Sequence, residues 1–198
     1  MMLFEQTQVP DAALPVAEFR AQLHLGTGFA DDGFQDPVLI PMLRAAISAV
    51  EADTGKVLLE KRYQHVLTAW RDLGRLALPV APVRAIQSLK ITDLAGGEET
   101  VDPARYRLIP DGQRPEILST TWALPTIPVG GTAEILFDAG FGSEWSDVPA
   151  DLAQAVLMLA THYYDNRGAM TERGKRLPDG VGRLLARHRV IRLFGGGA

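Results

Sequence analysis

Seven of the chain's thirteen prolines fall between residues 79 and 128: Pro79, Pro82, Pro103, Pro110, Pro115, Pro125 and Pro128. Each fixes its own φ and brings no backbone N–H. A proline is therefore kept to sheet edges, strand starts and bulges. That spacing favours short edge strands and irregular crossings over one large regular sheet. The apolar runs between the breakers fit this pattern. "YQHVLTAW" (63–70), "IQSLKITD" (86–93), "YRLI" (106–109), "EIL" (116–118) and "AEILFDAG" (133–140) read as strands. "DLAGGEE" reads as the turn of a hairpin joining Ile86–Asp93 to Glu98–Val101.

The flanks have a different period. Pro15 opens a helix with Val16, Phe19 and Leu23 on one face. After a Gly- and Asp-rich loop, "GTGFADDGFQD", Asp36 and Pro37 are a helix-start pair, with Asp as cap and Pro in the first turn. Leu39, Leu43, Ala46 or Ile47, and Val50 then recur at helical spacing. Thr54–Gly55 closes this helix, and Pro41 either falls early enough to be tolerated or marks the true start. Beyond the strand zone, Asp147 is a cap and Pro149 a first-turn residue. Leu152, Val156, Leu159 and Tyr163 line one face of a helix that stops near Gly168. A last helix is predicted from Val181 to about Leu193, with Val181, Leu184, Leu185, His188 and Ile191 on one side and Arg183 and Arg187 on another.

These periods predict an α+β fold, mainly α: a small helical bundle with an inserted Pro-rich hairpin and strand region and a basic C-terminal helix. The expected organisation is a single domain over 1–198. It divides into N-terminal helices (1–56), a β-rich insertion (57–142), C-terminal helices (143–194) and a flexible tail (195–198).

Charge is uneven. Residues 161–198 carry eight basic groups against three acidic ones, whereas the first 160 carry twelve against twenty-one. A cationic end on an acidic body suggests an anionic partner, although a solvated amphipathic helix has the same composition. The chain has no cysteine, which excludes disulfides, thiolate metal sites and a Cys nucleophile. No apolar run approaches the roughly 20 residues of a membrane helix, and "MMLFEQTQVPDAALP" lacks the features of a secretory signal.

Catalytic candidates are sparse. The four histidines, His24, His65, His162 and His188, form no pair at metal-ligand spacing. His162 and Asp165 are three apart on one helix face, where a local hydrogen bond is the plain reading. No serine lies in a G-x-S-x-G turn, and "AGFGS" (139–143) reads as a tight turn out of a strand rather than a phosphate loop. Asp31–Asp32 and Glu98–Glu99 fall in loops and read as solvated surface. Of the consecutive Tyr163 and Tyr164, one belongs to the core face. No catalytic residue, metal ligand or cofactor site is expected.

The order of short motifs carries more than any one of them. Asp36, Leu39, Ile40, Ala46, Glu51, Thr54 and Gly55 come first, followed by "YQHVLTAW" with Trp70. Leu78, Pro79, Pro82, Val83, Ile86, Leu89 and Ile91 follow, then Tyr106–Arg107 and "ILFDAGFG". The series closes with Val148, Pro149, Leu152, Ala155, Leu159, His162, Tyr164, Asn166 and Arg167, then Leu177, Pro178, Gly180, Val181, Leu184, Leu185 and Arg189. Over roughly residues 15–195 this series resembles the head–tail connector, or adaptor, proteins of tailed bacteriophages and of phage-derived gene transfer particles. Phe137 and Phe141 stand where that pattern has tyrosine, and the loop at Gly26–Gly33 is long for it.

The resemblance implies a non-enzymatic structural protein of the particle neck, made in the bacterial cytoplasm. It implies a ring of about twelve copies beneath the portal, built from two different faces on each subunit. The ring would join the DNA-filled head to the tail and extend the DNA channel. Implied partners are the portal ring, a head-closure (stopper) or tail protein, further copies of the chain, and DNA, with no membrane. Arg183, Arg187, Arg189, Arg192, Arg173, Lys175 and Arg176 are the expected portal- or DNA-facing groups. Tyr164, Asn166, Arg167 and Trp70 are the expected subunit-interface groups. Alternatives are a tail terminator or head-closure protein of the same particle, or a small hydrolase or nucleic-acid-processing enzyme using His162 with Asp165.

Overall fold

The computed structural model describes residues 2–23, 35–166 and 177–189. The chain forms two compact units, Met1–Val9 with Leu59–Ser143, and Pro10–Leu58 with Glu144–Ala198.

The first unit is built from strands: β1 (Met2–Glu5), β2 (Lys61–Leu67), β3 (Arg75–Ala77), β4 (Val83–Thr92), β5 (Glu98–Thr100), β6 (Tyr106–Ile109), β7 (Glu116–Ser119) and β8 (Thr132–Ala139). Five form an antiparallel sheet in the order β1-β2-β8-β4-β5, and three form a second in the order β3-β7-β6. The expected hairpin is present. Lys90, Ile91 and Thr92 face Thr100, Glu99 and Glu98. Asp93 closes the turn, its N–H donating to Gly97 O and its carboxylate accepting from Gly97 N. β1 and β3 have no counterpart in the sequence reading, and β2 ends at Leu67, before Trp70.

Alternation along the strands sorts the larger sheet into two faces. Tyr63, His65 and Leu67 of β2, Leu89 and Ile91 of β4, and Ala133, Ile135 and Phe137 of β8 are buried. Phe137 stacks on Tyr63 with ring centroids 5.8 Å apart. A fully buried phenylalanine needs no hydroxyl partner, so Phe suits this position better than a tyrosine with nowhere to donate. On the opposite face Arg62 donates twice to the cross-strand Asp138, at 2.8 and 3.1 Å, and Gln87 donates to the same carboxylate at 2.6 Å. The Arg62 hydrogen bond is the largest influence on the Asp138 carboxyl. Burial opposes it, but the net effect is to hold the group below its ordinary range.

Among the described residues the second unit holds four α-helices: α1 (Val16–Gln22), α2 (Asp36–Thr54), α3 (Ala150–Asp165) and α4 (Asp179–Leu185). α2 packs on α3, α3 on α4, and α1 on both α2 and α3. Leu39, Leu43, Ala46, Ile47 and Val50 are all buried, as their spacing predicts. Asp36 is the first helical residue rather than the cap, and its carboxylate takes an ion pair from Arg20. α2 runs on through Pro41. Asp147 caps a single 3-10 turn, accepting from Glu144 N, while Pro149 precedes α3. α3 ends at Asp165, short of Gly168. α4 ends at Leu185, and Ile191 and Leu193 of the longer expected helix lie outside the described residues. The N–H groups of His188 and Arg189 both turn back to Leu185 O.

The fold class is α+β. Among the described residues eight strands in two sheets stand beside four α-helices, so strand is as much a part of the framework as helix.

The Glu-x-x-Thr-Gly segment shapes the end of α2. Gly55 sits at φ +69 and its N–H donates to Glu51 O at 2.8 Å. The Glu51 carboxylate accepts Leu58 N at 2.9 Å, and Thr54 Oγ1 donates to Val50 O at 2.7 Å. Gly140, after β8, has φ +140, and a Cβ there would lie 2.6 Å from Glu60 Cα. A Cβ on Gly55 would meet nothing within 4 Å. Gly55→Ala should therefore cost only the left-handed backbone penalty of about 1 kcal/mol. Gly140→Ala adds a clash with backbone and should cost roughly 3 kcal/mol or more. Denaturant unfolding of both variants checks the difference.

His65 is fully buried on β2, where its Nδ1–H donates to Met2 O at 3.1 Å and its Nε2 has no partner among the described residues. Burial is the main cause that pushes its pKa down; the Met2 carbonyl opposes this weakly. The unfolded histidine titrates near 6.5. The unfolded chain thus takes up a proton that the folded chain resists, and stability is lost as pH falls below that value. His65→Leu should flatten this part of the pH–stability profile. An unchanged slope below pH 6.5 would contradict the assignment.

Candidate functional site

The expected partner-facing groups begin on α4. Val181 and Leu185 are buried, and Arg183 and Arg187 are exposed on other faces. Arg183 has no ion pair among the described residues. It shares an open surface depression of about 610 Å³ with Leu177, Asp179, Gly182, Ala186 and Arg189.

Arg187 and Arg189 are committed within their own unit. Arg189 grips Asp53, near the end of α2, with Nε at 2.7 Å and a second nitrogen at 3.2 Å. Arg187 Nε lies 2.7 Å from Asp151 Oδ2, in the first turn of α3, and His188 Nε2 lies 2.7 Å from the same oxygen. A carboxylate oxygen only accepts, so His188 places its proton on Nε2 and donates. Burial works to raise the Asp151 carboxyl. Hydrogen bonding from His188, its charge, the Leu152 N–H and the Arg187 charge outweigh burial, and the net shift is down. The end of α4 is thus clasped to two other helices by charge-assisted bonds.

Arg192, Arg173, Lys175, Arg176 and Arg167 lie outside the described residues. Among the interface candidates, Tyr164 is half-buried, and Asn166 serves the end of α3 by donating to His162 O at 2.8 Å. His162 is exposed and lies against Asn166 and the tilted ring of Tyr163, and no hydrogen bond to Asp165 is present among the described residues. No group of three or more His, Asp or Glu side chains among the described residues could hold a metal ion. Trp70 donates its indole N–H to Pro125 O at 2.7 Å. It pins the connection that displays Trp122, whose side chain is 89% exposed.

Sequence reasoning missed Trp122, along with the exposed Leu73, Leu94 and Val129. All four fall in turns, where no periodicity marks a face. Large apolar groups that cluster on a surface are suited to contacts with other chains. The fold itself is of the α+β class.

Three solved assemblies contain chains of the same fold. A chain in the neck of an empty gene transfer agent particle, computed with C6 symmetry, is 49% identical and superposes with a TM-score of 0.90. A chain in the virion of the native particle is 48% identical with a TM-score of 0.87. A chain in the native neck, computed with C12 symmetry, is 44% identical with a TM-score of 0.83. In each case 99% of both chains is covered. No protein-family model matches, and no curated protein does. The chain belongs to the head–tail connector family, in the branch that includes the neck proteins of gene transfer agent particles.

The Asp151 clasp makes a local prediction. Asp151→Asn removes the charge that Arg187 and His188 share. Amide exchange across Val181–Leu185 should accelerate, while exchange across the buried half of α2 stays as it was. Exchange measured by mass spectrometry separates the two segments.

Proposed function

We propose that the chain is a non-enzymatic structural connector of the particle neck. In this reading it works as one adaptor, assembled as a ring of about twelve copies beneath the portal. The ring joins the DNA-filled head to the tail and extends the DNA channel. Its neighbours are the portal above, a head-closure or tail protein below, and further copies at either side. The observation that carries the reading is the match to neck chains over 99% of both lengths. A second support is that the two necks were computed with cyclic symmetry, C6 and C12.

The helical unit, acting as a small bundle, supplies one group of contacts. Arg183, exposed and without an ion pair among the described residues, is the α4 cation best placed to meet an acidic portal surface or DNA phosphates. Arg187 and Arg189 contribute to the same face through the clasps that position it. Arg192, Arg173, Lys175 and Arg176 extend the positive charge in sequence on either side. Tyr164, Asn166, Arg167 and Trp70 belong to contacts between copies, with Trp70 acting through the turn it holds. Complementary charge across such a contact sets orientation and encounter rate more than affinity.

Electron microscopy of intact particles tests the assignment. Density for this chain is expected as a ring at the neck, with Arg183 facing portal or DNA. Particles with normal heads and tails and no copy of the chain at the neck would overturn it.

A further inference from the structure

Besides the exposed Met2, Leu3 and Phe4 of β1, the strand unit carries an apolar patch on each of two connections, and the two are of opposite charge. The first surrounds Trp122. The Leu124 N–H donates to Leu73 O at 2.6 Å, and the Thr120 N–H donates to Arg105 O at 3.1 Å. These bonds bring Leu73, 62% exposed, and Arg105 to the turn that displays Trp122. That turn is rigid. Ser119 Oγ and Thr121 Oγ1 both donate to Ala123 O, at 2.7 and 3.1 Å, and Trp70 holds Pro125 from behind. Arg71 precedes Leu73 by two residues, and Arg107 extends from β6 beside Arg105. Arg71, Arg105 and Arg107 are exposed and have no ion pair among the described residues. The nearby carboxylates of Asp72 and Glu116 are taken up by Arg75 and, for Glu116, also by Arg114.

The second patch is at the tip of the β4–β5 hairpin. Leu94 is 80% exposed and Val129 is 98% exposed. The two turns meet here, because a Cβ on Gly130, the residue after Val129, would sit 3.1 Å from Leu94 Cδ1. The flanking groups are Glu98 and Glu99, both exposed. Among the described residues Glu98 pairs with the half-buried Lys90, at 3.3 Å, and Glu99 has no ion pair. The buried Leu124 and Pro125 separate the two patches along the connection.

We propose that the Trp122 patch of one copy docks on the Leu94–Val129 patch of the next. This rests on the connector reading above. A closed ring needs a heterologous contact, in which two different faces of one subunit match. Two like patches could pair only isologously and would stop at a dimer. Here one patch is aromatic and cationic, and the other is aliphatic and anionic, so each repels its own kind and attracts the other. A preformed turn presenting Trp beside Arg has the composition of an interface anchor. Its rigidity reduces the ordering cost of binding.

Cross-linking in assembled particles tests this, since the chain contains no cysteine of its own. Leu73→Cys and Leu94→Cys are made singly and together, and particles are treated with a short bis-maleimide. Both sites are exposed, so unfolding midpoints should match the parent. The double variant should give a ladder from dimer through higher multiples. Each single variant should stay monomeric, and particles assembled from a mixture of the two single variants should add dimer and nothing larger. Dimers from either single variant would overturn the proposal, because like patches would then be facing each other. So would the absence of a ladder from necks that hold a normal complement of the chain, the result expected if DNA or another neck protein covers the patches. Particles that assemble without the chain would overturn the connector reading itself, and the two failures are told apart by protein content.

Discussion

Strand β8 is the element on which the rest of the strand unit depends. It lies between β2 and β4, and every backbone ladder of the larger sheet except the two at its edges runs through it. Its alternation sets both faces at once. Ala133, Ile135 and Phe137 face the core, while Glu134, Leu136 and Asp138 face the other way. Slipping it by one residue would turn the Asp138 carboxylate into the apolar core, away from Arg62 and Gln87, and turn Phe137 out of it. Two devices hold the register. The Arg62–Asp138–Gln87 cluster bridges three adjacent strands on the polar face. Gly140 then lets the chain pass so close to Glu60 that no side chain would fit, where Glu60 N–H donates to Gly142 O at 2.8 Å. A strand this constrained fixes the β4–β5 hairpin on one side and β1 on the other.

How much of this was legible depends on the reach of each interaction in sequence. The end of α2 was legible because Glu51, Thr54 and Gly55 act on one another within a few residues. The DLAGGEE hairpin was legible for the same reason, its turn closing between Asp93 and Gly97. β1 was not. It is four exposed residues whose only ladder is to β2, with Leu3 opposite His65, and nothing local distinguishes it from a frayed terminus. The length of α4 was misjudged because periodicity reads the apolar face alone. Just past its end, Arg187 and Arg189 turn to carboxylates far away in the chain, Asp53 being 136 residues from Arg189.

The same clasps change what the basic C-terminal segment means. Read as a string, eight cations against three acids make a strongly positive end on an acidic body. Folded, Arg187 and Arg189 are matched by Asp151 and Asp53, and their field outside the molecule is correspondingly weaker. They orient α4 and so set where Arg183 points. Trp70 is a parallel case. Its place in the motif series marks it as important, but its half-buried indole spends its donor on Pro125. The residue it supports, Trp122, is the one presented outward.

Net charge along a sequence therefore does not locate the charges that meet a partner. Steering depends on cations that are exposed and have no partner in their own fold. Among the described residues three such groups, Arg71, Arg105 and Arg107, lie within the first 160 residues, the part that counts as acidic. Its carboxylates are partly consumed there by Arg62, Arg75 and Lys61, or used to cap turns at Asp93 and Asp102. Others, at Glu98 and Glu99, gather on the hairpin tip. The fold thus sorts an apparently uniform acidic stretch into one cationic and one anionic patch. That sorting is what a subunit needs if copies are to join head to tail, because a surface of one sign presents the same charge to every neighbour.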